Sequence, residues 1–224
     1  MEIPVLNKSG KQVGVMNVDE QALGGAVNHA LLKQAFVRYH TNLRQGSART
    51  KSRGMVEGST RKIYKQKHTG NARMGPVRTP IRRGGGRAFA KTRTRENYRL
   101  DMPLKMRRKA NRNALLAKLM DNEVRVIDSL AFGEPKTRAF QDLLAACKVD
   151  RSCLVALAPE NANARLSARN VDGVTVVNSR QITCFDLLNH RFVVIAREDL
   201  QAWIDGPGSR TDKSAKGVKK KEAA

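Results

Sequence analysis

Residues 152–158 read SCLVALA and residues 192–196 read FVVIA, and these two runs decide the fold. Both are short and rich in aliphatic residues, without the polar alternation of a strand that has one wet face. Strands covered on both faces read this way, and they belong to parallel or mixed sheets flanked by helices. Working outward, residues 136–148 place Phe140, Leu143, Leu144 and Cys147 at i, i+3, i+4 and i+7, one face of a helix. A strand (VRVI, 124–127) precedes that helix. A short helix at 161–169, a strand at 174–177 and one or two helical turns at 183–188 lie between the two runs, and a helix at 197–204 closes the series. Strands alternating with helices predict an α/β fold: a three-layer parallel or mixed sheet of about four strands, with helices on both faces.

Residues 2–6 and 11–18 read as two further short strands around the turn Asn7-Lys8-Ser9-Gly10. Over 26–40, Val27, Leu31 and Ala35 recur every four residues, and Ala30 and Val37 widen the apolar face. Asp19 and Asn28 both offer a cap for this helix. Another helix begins near Met102, with Pro103 in its first turn and Ala110, Leu115, Leu116, Leu119 and Met120 as its apolar face. Residues 1–43 and 101–205 are thus expected to form one globular domain. Residues 44–100 form a long loop inserted in it, and 206–224 a Lys-rich disordered tail.

The insert has no sustained period of 2 or 3.6, and carries glycines at 46, 54, 58, 70, 75, 84, 85 and 86. Structureless loops beyond about 12–15 residues are uncommon in compact domains and are usually functional or disordered. Charge separates the same segments. The formal net charge is +23, and residues 44–112 hold 22 Lys and Arg against three carboxylates, Glu57, Glu96 and Asp101. The tail holds six basic and two acidic residues, and the rest of the chain has 15 of each. A neutral body thus carries cationic segments whose field selects polyanions, and like-charge repulsion predicts an extended, mobile insert in the free protein.

A membrane partner is not expected. No run of about 18 apolar residues exists, the start MEIPVLNKSG lacks the pattern of a signal peptide, and the basic stretch lacks the clustered Leu, Phe and Trp of an interfacial helix. Cys147, Cys153 and Cys184 form no CxxC, and reduced, buried thiols fit a cytoplasmic protein.

Enzymatic signatures are missing. The run Arg82-Arg83-Gly84-Gly85-Gly86-Arg87 has neither Walker A nor GxGxxG spacing. No HExxH or Cys/His cluster occurs, so neither a metal nor a cofactor is expected. Glu57 and Glu96 are isolated, too few for a two-metal centre, and no catalytic residue is assigned. His29, His40 and His190 are read as structural, and His68 as an RNA contact.

The insert's own residue types point to nucleic acid. Arg44, Arg49, Lys51, Arg53, Arg61, Lys62, Lys65, Lys67, Arg73, Arg78, Arg82, Arg83 and Arg87 can meet phosphates, with Lys105, Arg107, Arg108 and Lys109 adding a basic helical run. Gly84, Gly85 and Gly86 let backbone come close to phosphate, and Tyr64, Phe89 and Tyr98 can stack on unpaired bases. The competing readings are a solvated linker, an RNA-processing enzyme with a basic channel, and a free RNA-binding translational regulator.

Residues 61–73 (RKIYKQKHTGNAR) and 75–86 (GPVRTPIRRGGG) resemble the central motif of the family of ribosomal protein four of the large subunit, bacterial type. That motif runs approximately KPWRQKGTGRARxGxxRxPxWRGGG. Arg44-Gln45-Gly46, the helix opening Lys105-Met106-Arg107-Arg108-Lys109-Ala110, Pro135-Lys136-Thr137 and Ala168-Arg169-Asn170-Val171 also resemble family positions, and the similarity covers about residues 1–205. Tyr64 and Arg82 stand where the family has Trp, Asn71 where it has Arg, and His68 where it has Gly. A histidine there is expected to resist the left-handed backbone that glycine allows. The resemblance implies a non-catalytic protein of the large ribosomal subunit that acts early in assembly. It implies an α/β domain on the subunit surface and a loop that penetrates ribosomal RNA. Lys65, Lys67, His68 and Arg73 would then form a tip lining the peptide exit tunnel, beside the loop of large-subunit protein twenty-two. No homo-oligomer is implied.

Overall fold

A computed structural model describes residues 1–92 and 98–206. The chain divides into two compact units, one of Met1–Tyr39 with Asp101 onward and one of His40–Leu100. The first is built from β1 (Glu2–Leu6), β2 (Gln12–Asn17), α1 (Glu20–Leu23), α2 (His29–Leu43, whose last turn enters the second unit), α3 (Leu104–Met120), β3 (Val124–Ile127), α4 (Thr137–Ala146), β4 (Cys153–Leu157), α5 (Ala162–Ala168), β5 (Val174–Asn178), α6 (Cys184–Asn189), β6 (Phe192–Ala196) and α7 (Arg197–Asp205).

The strands form one mixed sheet in the order β2-β1-β3-β6-β4-β5. Every neighbouring pair is parallel except β1 with β2, which form an antiparallel hairpin at one edge. The α/β class is therefore as read, but the sheet has six strands and not about four. The N-terminal hairpin joins the same sheet, because β1 pairs in parallel with β3 through Val5–Val126 and Leu6–Ile127. Nothing local reports that pairing, which spans the whole insert.

The two deciding runs behave as buried strands. All five residues of β4 and all five of β6 are buried. Their side chains alternate between two apolar clusters, one on each sheet face. Leu154, Ala156, Val193 and Ile195 join a cluster with α1, α2, α3, α6 and α7, where Leu23, Leu32, Leu116, Leu187 and Trp203 pack. Cys153, Val155, Val194 and Ala196 join Phe140, Leu143, Leu144, Ala164 and Ala168 of α4 and α5 on the other face. Helices thus cover both faces. Each fully buried Leu, Ile, Val or Phe contributes roughly 1.5–3 kcal/mol relative to exposure, so this sheet is where stability concentrates.

The helix expected over 26–40 forms as α2, and a short helix that was not expected, α1, precedes it. Asp19 caps α1 through the N–H of Gln21 at 2.9 Å, and Asn28 accepts from the N–H of Leu31 at 3.0 Å at the start of α2. Both candidate caps are used. Val37 is 45% exposed, since two residues beyond buried Ala35 the helix has turned away from the core; Leu32 fills that role. Met120, also expected in the core, is 55% exposed at the last position of α3. Pro103 precedes α3 as its N-cap and does not sit within the first turn.

Two helices stop without glycine, α3 at Met120 as expected and α4 earlier than expected. Asn122 (φ 55°) and Lys148 (φ 56°) take the left-handed conformation just past α3 and α4. The next N–H, of Glu123 and of Val149, then bonds back to Lys118 and Leu144 carbonyls at 3.0 Å. Hence α4 ends at Ala146, short of the expected 148.

Polar pins inside α3 fix it to its neighbours. Asn113 accepts from the N–H of Asn28 and donates to the Ala26 carbonyl, both at 2.6 Å, and Asn111 accepts from the N–H of Cys184 at 2.9 Å. Lys118 donates to Glu123 at 2.5 Å and to the Arg191 carbonyl at 3.0 Å. Leaving any of these buried groups unpaired would cost about 1–3 kcal/mol. His190, read as structural, donates from Nδ1 to the Asp186 carbonyl at 2.9 Å and accepts the Thr175 hydroxyl at Nε2, 2.8 Å away. The three cysteines are free and buried. Desolvation by burial pushes Cys153 and Cys184 up to about 12 and raises Cys147, which keeps all three as thiols.

No residue between 40 and 100 belongs to either apolar cluster among the described residues. A chain lacking 62–88 is therefore expected to keep its cooperative thermal transition, with a midpoint within about 4 °C of the intact protein, the shift of a change near 1 kcal/mol. Differential scanning calorimetry reads this directly, and loss of the transition would show that the insert carries core.

Candidate nucleic-acid interface

The second unit is held by backbone and not by a core. At its base, the Asn42 amide donates to the Leu100 carbonyl at 3.0 Å and accepts from the Leu100 N–H at 2.9 Å. The Arg44 guanidinium lies 4.3 Å from the centre of the Tyr98 ring. Further along, the Thr50 N–H donates to the Lys91 carbonyl at 3.1 Å and the Arg87 N–H to the Lys51 carbonyl at 2.9 Å. The Gly86 N–H reaches the Arg78 carbonyl at 3.1 Å, closing a compact turn in which Thr79 and Arg82 carbonyls accept from Arg82 and Gly85.

The run Gly84-Gly85-Gly86 was expected to bring backbone near phosphate. Two of its members have a reason inside the chain. A Cβ on Gly85 would stand 1.9 Å from the Thr79 carbonyl oxygen, and one on Gly86 2.2 Å from the Arg53 nitrogen. Side chains at these positions would collide with the backbone that the turn packs against. Gly84 has open space around it but takes φ 77°, a conformation unfavourable for other residues.

Residues 62–76 close on themselves. Lys62 and Pro76 form an isolated antiparallel bridge, the Lys62 ammonium donates to Gln66 at 2.7 Å and to the Met74 carbonyl at 2.9 Å, and the Tyr64 hydroxyl donates to the Ala72 carbonyl. Lys65, Lys67, His68 and Arg73 lie at the closed end, all exposed. His68 adopts φ 66°, so it keeps the left-handed backbone it was expected to resist. Histidine is among the non-glycine residues found there most often, and an exposed turn leaves its ring unhindered.

Most of the candidate cations face solvent. Arg44, Arg49, Lys51, Arg53, Arg61, Lys62, Arg83 and Arg87 are exposed, while Arg78 and Arg82 are half-buried. Arg78 spends its Nε on the Gly58 carbonyl at 2.6 Å, so part of its role is to hold the fold. An open groove of about 480 Å³ is lined by Arg73, Arg82 and Arg83 together with the exposed apolar side chains of Met74, Val77 and Ile81. Lys105, Arg107, Arg108 and Lys109 belong to the other unit, on the first turns of α3, where Lys105 and Lys109 are exposed and Arg107 and Arg108 half-buried. From Arg44 to Lys91, no Lys or Arg pairs with a carboxylate among the described residues; all ion pairs found involve the globular unit. Cations left without internal counter-charge are free to neutralise an external polyanion.

The residues that frame the insert were not legible as functional. Thr50, Thr79 and Asn42 are uncharged and inconspicuous beside the cations; the one available signal was that an Asn amide can both donate and accept toward the C=O and N–H of one residue. The tail from residue 207 onward lies outside the described residues. Among those described, no group of three His, Cys, Asp or Glu side chains is placed to hold a metal ion, and no helix is long and apolar enough to cross a membrane.

Residues 16–205 match the sequence profile of the ribosomal protein L4/L1 family. Two relatives from strains of Dehalococcoides mccartyi, each named large ribosomal subunit protein uL4, are 46% identical over 198 residues, covering 88% of this chain and 93% of theirs. The protein of the same name from Desulforudis audaxviator is 40% identical over 194 residues, covering 87% and 93%. The profile runs from the end of β2 through the insert to the last helix, and the chain belongs to the ribosomal protein L4/L1 family.

Proposed function

We propose that this family member, a structural constituent of the large ribosomal subunit and not an enzyme, binds large-subunit ribosomal RNA in the cytoplasm through its insert. The single observation that carries the reading is the set of cations from Arg44 to Lys91 with no carboxylate partner among the described residues. Lys105, Arg107, Arg108 and Lys109 add a second basic run, suited to phosphates at the start of α3. The closed end carrying Lys65, Lys67, His68 and Arg73 is the tip that lines the peptide exit tunnel, next to large-subunit protein twenty-two. Early entry into assembly fits a protein whose insert gains most of its counter-charge from RNA. No membrane and no second copy of the chain takes part.

If about eight to ten of these cations meet phosphates, log K against log salt for the RNA complex has a slope of about −6 to −9. Filter-binding titrations at several salt concentrations measure it, and a slope near −2 would remove the insert from the interface. In extracts the protein is expected to sediment with the large subunit through a moderate salt wash. Recovery in the soluble fraction would favour a free regulator.

The glycine packing yields a separate test. Gly86→Ala must displace the backbone at Arg53, so rRNA affinity is expected to fall about tenfold or more, equivalent to about 1.4 kcal/mol. The thermal midpoint of the body should not move. Unchanged affinity would mean that the turn does not set the cation positions.

A further inference from the structure

Three aromatic side chains lie among the described residues of the insert beyond α2, and two are already engaged. The Tyr64 hydroxyl is bonded to the Ala72 carbonyl and its ring is half-buried. The Tyr98 ring carries the Arg44 guanidinium at 4.3 Å. Phe89 is different. Its relative exposure is 105%, and its backbone is left-handed at φ 50°.

The surrounding backbone explains how this residue is presented. Thr50 and Lys51 are consecutive, yet their backbone partners across the turn are Lys91 and Arg87. The Lys91 N–H also donates to the Thr50 hydroxyl at 2.7 Å. Ala88, Phe89 and Ala90 therefore form a three-residue bulge fastened at both ends, and Gly86 packed against Arg53 fixes its approach. The flanking residues are alanines, which keep the bulge narrow and leave the ring uncovered.

A phenylalanine held in this way is unfavourable in the free chain. It forgoes the burial its apolar ring would gain in a core, and a left-handed backbone is uncommon for a bulky residue. A small polar residue or glycine would fill the bulge at lower cost. Lys51, Arg53, Arg87 and Lys91 lie on the paired segments that hold the bulge, all exposed, so the field there favours an anionic partner and disfavours a cationic one. Aromatic rings next to backbone-tracking cations are how unpaired bases are bound.

We infer that Phe89 is a base-stacking residue: its ring packs on one unpaired base of RNA, while Lys51, Arg53, Arg87 and Lys91 hold the adjoining phosphates. The inference rests on the RNA-binding reading above, to which it adds the residue and the mode of contact.

The test uses the full chain and large-subunit ribosomal RNA, with binding titrated against salt and base reactivity probed chemically in the complex. Phe89→Ala is expected to weaken binding by about 5- to 150-fold, the range for losing one stacked base, with the salt slope unchanged. Phe89→Trp should restore affinity, and Phe89→Leu, apolar but without a π-face, should be nearly as weak as alanine. One base protected by wild type should become reactive in the Phe89→Ala complex. Wild-type affinity in Phe89→Ala or in Phe89→Leu would overturn the inference while leaving the RNA-binding reading intact. So would a loss seen only in assembled subunits and not on RNA alone, which would assign the ring to a protein pocket. Failure of the wild-type chain to bind the RNA would overturn the earlier reading, and this one with it.

Discussion

Nothing larger than hydrogen fits at Gly86, where a Cβ would meet the Arg53 nitrogen at 2.2 Å, or at Gly85, against the Thr79 carbonyl. These two contacts determine what the insert can be. With no apolar residue contributed to either core cluster among its described residues, it does not fold by joining that core, and its cations oppose compaction. What remains is backbone meeting backbone: Thr50 with Lys91, Lys51 with Arg87, Arg78 with Gly86. Each such bond is worth only about 0.5–1.5 kcal/mol net, and most of these face water. The frame therefore positions side chains without making the insert stable by itself.

The globular unit obeys a different rule. Its sheet alternates side chains between two dry faces, and polar groups enter only where both ends are satisfied, as at Asn113 with Asn28 and Ala26. Outside the basic opening of α3 and the Lys-rich tail its charge is balanced, and the ion pairs found among the described residues are internal to it. One chain thus keeps two electrostatic regimes apart. The body closes its own charges except at the opening of α3, and the insert leaves its cations for a partner.

That separation explains what could be read from residues alone. Buried strands such as SCLVALA and FVVIA declare themselves by composition, and α4 by the spacing of Phe140, Leu143, Leu144 and Cys147. The parallel pairing of β1 with β3 joins residues about 120 positions apart and leaves no local trace, so the sheet was read too small. The helix ending before Lys148 used a left-handed residue other than glycine and was read too long, whereas the one before Asn122 ends at Met120 as read. In the insert, cation density was visible and the frame was not, because Thr50, Asn42 and Thr79 act through isolated backbone contacts that have no periodic pattern. Gly85 and Gly86 were noticed for the space they would give a phosphate, and their internal packing is a second reason for the same residues. Phe89 was one aromatic among three until its exposure and its bulge set it apart from Tyr64 and Tyr98.

The central claim is that the insert has a backbone frame but no core, and is completed by RNA. Limited proteolysis tests it most directly, with cleavage between residues 44 and 92 followed in the free protein and in the intact large subunit. Locally framed, water-exposed segments open readily, so rapid cutting is expected in the free chain while the globular unit survives, and protection is expected within the subunit. Equal sensitivity in the two states, or resistance in the free protein, would contradict the account.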